Sequence, residues 1–587
     1  MADLLIRNAT LVDGTGAPPR PADVLVRGDR IAEVSEAGSL DAGDAEVLDA
    51  AGLLLTPGFV DVHTHYDGQV TWDPILAPSS WHGVTTIVMG NCGVGFAPAK
   101  PDERGWLIEL MEGVEDIPGT ALHEGIRWDW ETFPQYLDAL EKLPRTIDIA
   151  TQVPHGALRV YVMGGRGANQ EPANADELAE MARIVREAIA AGALAFSTNR
   201  MPLHTSIHGD PVPGTFADTE ELEALTRAAV EGGSPILQSI PAGAMGEAAD
   251  ATLREIALYR EISLRTGATV TFSTPQVHPH PDQWREVLSQ SREANAAGAH
   301  LVPQVMGRPA GLMLSWDTFN PFNERPSYKE IADVPIEQRV ALLREPARRK
   351  QILSEGEHDN AGMVIMQHAM HSAFPMDQGP VFEPDPSESI AARAEAAGCD
   401  PLEMLYDTMC DLAANSKDGK TRMMAVFFSG YAAGDCEALG EMMRDPVTVV
   451  GLADGGAHCS MICDASLPTY MLSHWVRDRT RGERIPLEDT IRMLTKEPAE
   501  LYGLGDRGII EPGRRADLNL IDLAAISLDL PEITPDLPTG ASRVLQRGHG
   551  YRATICAGEI TFRDGEPTGA RPGKLVRGPR GAAALSQ

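Results

Sequence analysis

The sequence predicts an α/β fold, a (β/α)8 TIM-type barrel with a small composite β domain formed by the N- and C-terminal segments. Three observations carry that expectation. Strand-like and helix-like periodicities alternate through the middle of the 587-residue chain, with glycines between them. Both ends carry strand-like alternation only. The residues with metal-binding or acid–base chemistry fall where the middle strands end, which is where barrel enzymes keep their active sites. These patterns assign residues 1–55 and 505–587 to the composite β domain and 56–504 to the barrel.

The elements follow in order. "DLLIRNATLV" and "ADVLVRGDRIAEVS" alternate apolar and polar residues between Gly and Asp turns, the signature of short strands. From about Leu53 the pattern changes. "GVTTIVMGN" reads as a strand, "DELAEMARIVREAIAAG" as an amphipathic helix and "ALAFSTN" as a strand. "DTEELEALTRAAVEGG", "ATLREIALYREISLRTG" and "EVLSQSREANAAG" read as helices, each followed by a strand: "PILQSI", "ATVTFSTPQ" and "HLVPQVM". Repeated helix–Gly–strand punctuation implies βα units with parallel strands. Proline-rich stretches at about 200–217, 307–335 and 372–388 read as long loop insertions, of a size that usually forms lids or subunit contacts. Beyond about Tyr502 the strand pattern returns in "RGIIEPGRRADLNLID" and "YRATICAGEITFRDG".

Composition narrows the function classes. With 84 acidic and 50 basic residues the formal charge is −34, which repels phosphate backbones and anionic lipid. The expected partner is therefore a small-molecule substrate, with no nucleic acid and no membrane. No stretch approaches the ~20 continuous apolar residues of a membrane helix. The first residues show no basic-then-apolar leader. Seven scattered cysteines in a large chain read as reduced thiols, so the expected compartment is the cytoplasm. The long insertions leave a homo-oligomer open.

The chemistry starts at "PGFVDVHTHYDGQV", residues 57 to 70. His63 and His65 are two apart at a strand's end and share one side of it. Neutral imidazoles so placed suit a zinc ion, although a bare pair of this kind is also found in surface turns. Cys92 follows the next strand in "GNCGVG". A thiolate there is a strong ligand; most lone cysteines are simply small buried hydrophobes. In "TVVGLADGGAHCSMICD", Asp454 stands at the mouth of the last strand. It can touch a metal and take a proton from activated water, or merely close an Asp-Gly turn. His458, four residues on, is a candidate to orient substrate or an oxyanion. Cys459 and Cys463 have zinc-like spacing but lack further ligands, so packing is the favoured reading for them.

Taken with "GNCGVGFAPAKP", "PHGALRVYVMG" and "TKEPAELYGLGDRGIIEPGRRADLNLID", these motifs resemble the amidohydrolase superfamily, and within it the D-aminoacylase (N-acyl-D-amino-acid deacylase) branch, in a longer and divergent form. The resemblance runs from residue 1 to about 565. It implies zinc-dependent hydrolysis of an N-acyl-D-amino acid, with one or two Zn2+ ions or another divalent metal held by His63, His65, Cys92 and Asp454. Asp454 would also be the catalytic carboxylate. His155 matches a family segment and, with His458, is a substrate or oxyanion candidate; Arg159 and Arg200 are candidates for binding a substrate carboxylate. The resemblance also brings a departure. The branch carries one histidine on each of two later strands, and here Gln238, Ser239 and Thr274 occupy that neighbourhood; His278, His280, His368 and His371 are the candidate substitutes. Two alternatives stand beside the deacylase: a cyclic amide or imide hydrolase of the hydantoinase or dihydropyrimidinase type, and a catalytically degenerate barrel acting as a binding protein.

Overall fold

Strands from the two ends of the chain pair with each other. In a computed structural model, which describes residues 3–248, 250–355, 369–377, 379–414 and 422–578, Leu54–Pro57 runs antiparallel to Leu518–Ile521, with Leu518 opposite Pro57. This pair joins Leu4–Leu11, Arg20–Arg27 and Arg30–Ser35 on one side to Tyr551–Cys556 and Glu559–Arg563 on the other, in a sheet of nine strands among the described residues. The alternation seen in the sequence is what builds it. Leu4, Ile6, Val24 and Val26 point to one side and bury against Leu518 and Ile555.

Between these ends lie the parallel strands. Phe59–Asp61, Val84–Met89 and Asp148–Thr151 form one sheet. Val153–Pro154, Phe196–Asn199, Ile236–Ile240, Thr269–Ser273, His300–Val305 and Val449–Val450 form a second, in that spatial order. One stretch of chain, 148–154, serves both sheets and changes partner at Gln152, whose N–H goes back to the Met89 carbonyl while Val153 N–H goes forward to Ala195. At the far edges the Asp454 N–H donates to the His63 carbonyl at 3.1 Å, and Thr64 bridges Gly455 in parallel. The helices Ala175–Ala191, Thr219–Gly232, Ala251–Thr266 and Gln283–Ala296 separate the strands as their periodicity requires. Asn174 and Glu177 close a capping box on the first, and the Asp218 carboxylate accepts from Glu221 N–H on the second.

The stretch at 307–335 is not a loop. It carries the strand Ala310–Leu314 and the helix Pro326–Lys329. Ala310–Leu314 and Ala373–Met376 flank Met423–Ser429 in an antiparallel sheet. This sheet and its helices have a core of their own around Trp316, Phe322, Tyr328 and Tyr406. Prolines punctuate elements there, and their density misread as irregularity. Residues 200–217 form turns. Among the described residues no helix is long and apolar enough to cross a membrane, and all seven cysteines are free.

Candidate active site

His63 and His65 leave the end of Phe59–Asp61, Cys92 follows Val84–Met89, and Asp454 follows Val449–Val450. Four positions far apart in sequence thereby meet at one end of the parallel strands. The Cys92 Sγ is 3.3 Å from His63 Nε2. Asp454 Oδ1 is 3.5 Å from His63 Nε2 and 3.7 Å from His65 Nε2. Donors at roughly 2.0–2.3 Å from a tetrahedral zinc stand about 3.3–3.8 Å apart, so these separations fit the edges of such a site. His63, His65 and Cys92 also form the one group of three or more metal-donor residues found close together among the described residues.

Neighbouring groups fix the two imidazoles. His63 Nδ1 lies 2.8 Å from Gln304 Oε1, which leaves its Nε2 lone pair toward Cys92 and Asp454. His65 Nδ1 lies 3.2 Å from the buried carboxylate of Glu115. A carboxylate behind a histidine is the usual support of a metal ligand. Gln238 Oε1 accepts the Cys92 N–H at 2.9 Å. The backbone is held in an unfavourable region at three of these places: φ is +53° at Cys92, +46° at Asp454 and +48° at His458. Non-glycine residues persist there only when their surroundings over-determine them, which is common at functional sites. Gly93 is needed next to Cys92, since its φ is +69° and a Cβ would sit 2.7 Å from Asn199 N.

Charge follows burial and proximity. Burial alone would lower His65, but Glu115 and then Asp454 beside it raise it well above the ordinary histidine value. His63 is pushed down to about 4 by burial. Burial would raise Asp454, yet the hydrogen bond from His65 and the charges of both histidines hold it well below the usual carboxylate range. Burial pushes the Cys92 thiol up to about 11, outweighing the hydrogen bond and charge of His65 that pull it down.

The tetrad opens into a cavity of about 330 Å3. His458 lines it, with Nε2 3.7 Å from Glu115 Oε2. Sequence reasoning missed Glu115, His204, Asp464 and Gln304. The first three line the cavity, and Gln304 stands behind His63. Only Gln304 left a signal, as a lone amide in the apolar strand "HLVPQVM".

His155, Arg159 and Arg200 do not line this cavity, and this corrects the expectation that they bind substrate. His155 is wholly buried between Thr198 Oγ1, 2.9 Å away, and Glu221, 2.8 Å away. Arg159 pairs with the same Glu221 carboxylate. Arg200 pairs with Glu255 at 3.0 Å. Their charges are already matched in the wall between helices. Of the candidate substitutes for the later-strand histidines, His278 binds the Phe427 carbonyl at 2.9 Å, and neither it, His280 nor His371 lines the cavity; His368 lies outside the described residues. Cys459 and Cys463 are packed against the wall and join no donor group.

The profile of the "Amidohydrolase family" matches residues 46–562. An N-acyl-D-glutamate deacylase of Alcaligenes xylosoxydans xylosoxydans is 27% identical over 583 residues, covering 98% of this chain and 96% of that protein. A solved structure of D-aminoacylase, described for the functional role of its binuclear metal centre, superposes with a TM-score of 0.64 at 24% identity, covering 98% of this chain and all of the other. The N-acyl-D-glutamate deacylase of Bordetella bronchiseptica, complexed with zinc and a phosphonate inhibitor, gives a TM-score of 0.63 at 23% identity, with 98% and 99% covered.

Proposed function

The chain belongs to the amidohydrolase family, and from that premise we propose that it is a metal-dependent deacylase, hydrolysing the amide C–N bond of a small molecule of the N-acyl-D-amino-acid type. The observation that carries this reading is the convergence of His63, His65, Cys92 and Asp454 at separations of 3.3–3.7 Å beside a cavity. The kinship with N-acyl-D-glutamate deacylase along nearly the whole chain supports this substrate class over a cyclic imide. It also supports an enzyme over a degenerate binding protein.

His63, His65 and Cys92 would hold one divalent ion, zinc by donor type, with Asp454 3.5 and 3.7 Å from the two imidazoles. When bound, such an ion supplies a Lewis acid and brings the pKa of water toward ~7. Asp454, held ionised by the two histidines, accepts the proton of the attacking water and returns it to the leaving nitrogen. Glu115 keeps His65 oriented throughout, and Gln304 does the same for His63. His458 offers a hydrogen-bond donor at the cavity wall.

The same reading extends to the frame. The eight parallel segments, with 148–154 counted once, are taken as a (β/α)8 barrel closed by the Asp454–His63 backbone bond. Residues 1–55 and 505–587 are taken as its composite β domain. Seven free cysteines favour a cytoplasmic setting.

The test is release of carboxylic acid from N-acyl-D-amino compounds by zinc-reconstituted protein. Asp454→Asn should lower kcat by about 10²–10⁴ while zinc content stays near that of the unaltered protein. Near-normal turnover in that variant would remove Asp454 from the mechanism, and no acid release from any N-acyl compound would sink the deacylase.

A further inference from the structure

The cavity is notable for the charge it does not carry. Among its described lining residues there is no lysine or arginine. Its carboxylates are Glu115, Asp454 and Asp464, the first set against His65 and the last paired with Arg308. Arg308, which binds the lining Asp464, and Arg543, which shares a smaller neighbouring cavity with Asp454 and Asp464, are already matched. Arg308 is 1% exposed, donates to Asp464 at 2.7 Å and to Ser466 Oγ at 2.5 Å, and stacks 3.9 Å from the Phe382 ring centroid. Arg543 forms a bidentate pair with Asp536 at 2.8 and 2.9 Å. His458 faces Glu115, and His204 is kept neutral, pushed down to about 3 by burial. A divalent ion at the tetrad would have its two charges matched by the Cys92 thiolate and Asp454, leaving no net positive charge there.

The rest of the wall is apolar. Met201, Leu203 and Ile240 form one side, and Met306, Leu312 and Phe428 from the inserted antiparallel sheet and its approach form another. The polar group left over is uncharged: the Ser273 hydroxyl, 4% exposed, lines the cavity and has no hydrogen-bond partner among the described residues. A free N-acyl amino acid brings a carboxylate that would lose its water in this cavity and find no lysine or arginine among the described lining residues to pair with. Burying an unpaired charge is costly. A neutral carboxamide or ester loses far less and can use the Ser273 hydroxyl.

We propose that the substrate is electrically neutral and apolar: a carboxyl-blocked N-acyl amino acid, an amide or ester rather than the free acid. The proposal rests on the deacylase reading and narrows its substrate. The reaction is plain hydrolysis. Water adds across the acyl C–N bond; the acyl carbon gains the hydroxyl, giving a carboxylic acid, and the nitrogen gains the proton, giving a free amine.

The experiment compares N-acetyl-D-leucinamide and N-acetyl-D-leucine methyl ester with N-acetyl-D-leucine and N-acetyl-D-glutamate on the zinc-loaded full chain. The blocked compounds should exceed the free acid in kcat/KM by about 30-fold or more, with the dianionic glutamate last. Equal or better use of the free acid overturns the proposal. Calorimetric binding to Asp454→Asn reads the same selectivity without turnover: the carboxamide should bind at least about tenfold tighter than the acid. Equal binding, or no binding of the carboxamide, again overturns it. Selective binding of the carboxamide with no acid released from any compound would sink the deacylase reading and leave the charge selection standing. Leu203→Arg supplies a cation in the wall and should raise use of the free acid relative to the amide by about tenfold; an unchanged ratio in a folded, zinc-loaded variant counts against the proposal.

Discussion

Gln304 has no reactive group, yet it decides which nitrogen of His63 faces the donor cluster. Its Nε2 donates to Thr271 Oγ1 at 3.1 Å, which turns Oε1 toward His63 Nδ1. Nδ1 must then carry the proton, and Nε2 is free to ligate. Gln304→Leu keeps the side chain's bulk and removes both bonds, so zinc affinity should fall by about 10–100-fold in a chelator competition, with the thermal midpoint of the metal-free protein little changed. Affinity within about twofold of the unaltered protein would show that the tautomer is set by other means. The donor count makes a second prediction. With one group of three donors among the described residues, elemental analysis of zinc-saturated protein should give about one tightly held equivalent. Two would mean that groups outside this cluster take part, as in the binuclear D-aminoacylase. The candidate donors were readable from the sequence because each lies soon after an apolar strand. Their supports were not. Glu115 sits at the end of the helix Arg104–Glu115, and nothing in "MEGVED" announces that it will meet a histidine fifty residues earlier.

The helices His155–Met163 and Thr219–Gly232 are tied by one carboxylate, since Glu221 on the second receives both His155 and Arg159 from the first. Burial would raise Glu221, but the hydrogen bonds from His155 and Arg159 prevail and hold it at about 2. A carboxylate depressed from its ordinary value contributes stability that is complete above the unfolded value near 4.5 and is lost as pH falls toward 2. The contribution is about 3 kcal/mol. Denaturant unfolding of Glu221→Gln should therefore show a loss of about that size at pH 7 and much less near pH 3. A loss independent of pH would mean that packing, not charge, makes the tie. At this scale the sequence was most informative where periodicity was long: Ala175–Ala191 and Ala251–Thr266 match the expected helices closely. It was least informative between 307 and 388, whose short strands pair with Met423–Ser429 across roughly fifty to a hundred and twenty positions, a relation that local pattern cannot express.

Across the whole molecule, the two parallel sheets meet at a seam along the strand Asp148–Thr151, and the chain's last described residues close it. Ile149 N–H donates to the Lys574 carbonyl at 3.0 Å, and Val576 N–H to the Ile149 carbonyl at 2.7 Å. The Asp148 carboxylate anchors the same segment, accepting from Lys574 N–H at 2.7 Å, Arg507 at 2.8 Å and Arg515 at 2.9 Å. Arg515 also pairs with Asp517 at 3.1 Å, just before the strand Leu518–Ile521. One buried ionic cluster thus couples the nine-stranded sheet, the seam and the tail, at the end of the strands opposite the donor tetrad. Asp148–Thr151 starts to lose Val84–Met89 as a neighbour only where it gains Phe196–Asn199 through 153–154, so without the tail Ile149 would present an open backbone edge. Deleting residues 572–587 removes four backbone bonds, those of Gly573, Lys574, Val576 and Gly578, and the buried side chain of Leu575, a local loss of about 4–8 kcal/mol. Breaking one partner of a buried ion cluster adds to that, because Asp148 keeps its charge and loses a donor. Amide exchange at Ile149 to Thr151 should accelerate by about 30-fold or more, while bound zinc and kcat at low temperature stay near normal, since the mouth of the strands is untouched. Leu575→Asp should reproduce the acceleration in a full-length chain. Protection at Ile149 that survives both changes would show that the seam closes by itself and that the tail is a passenger on it.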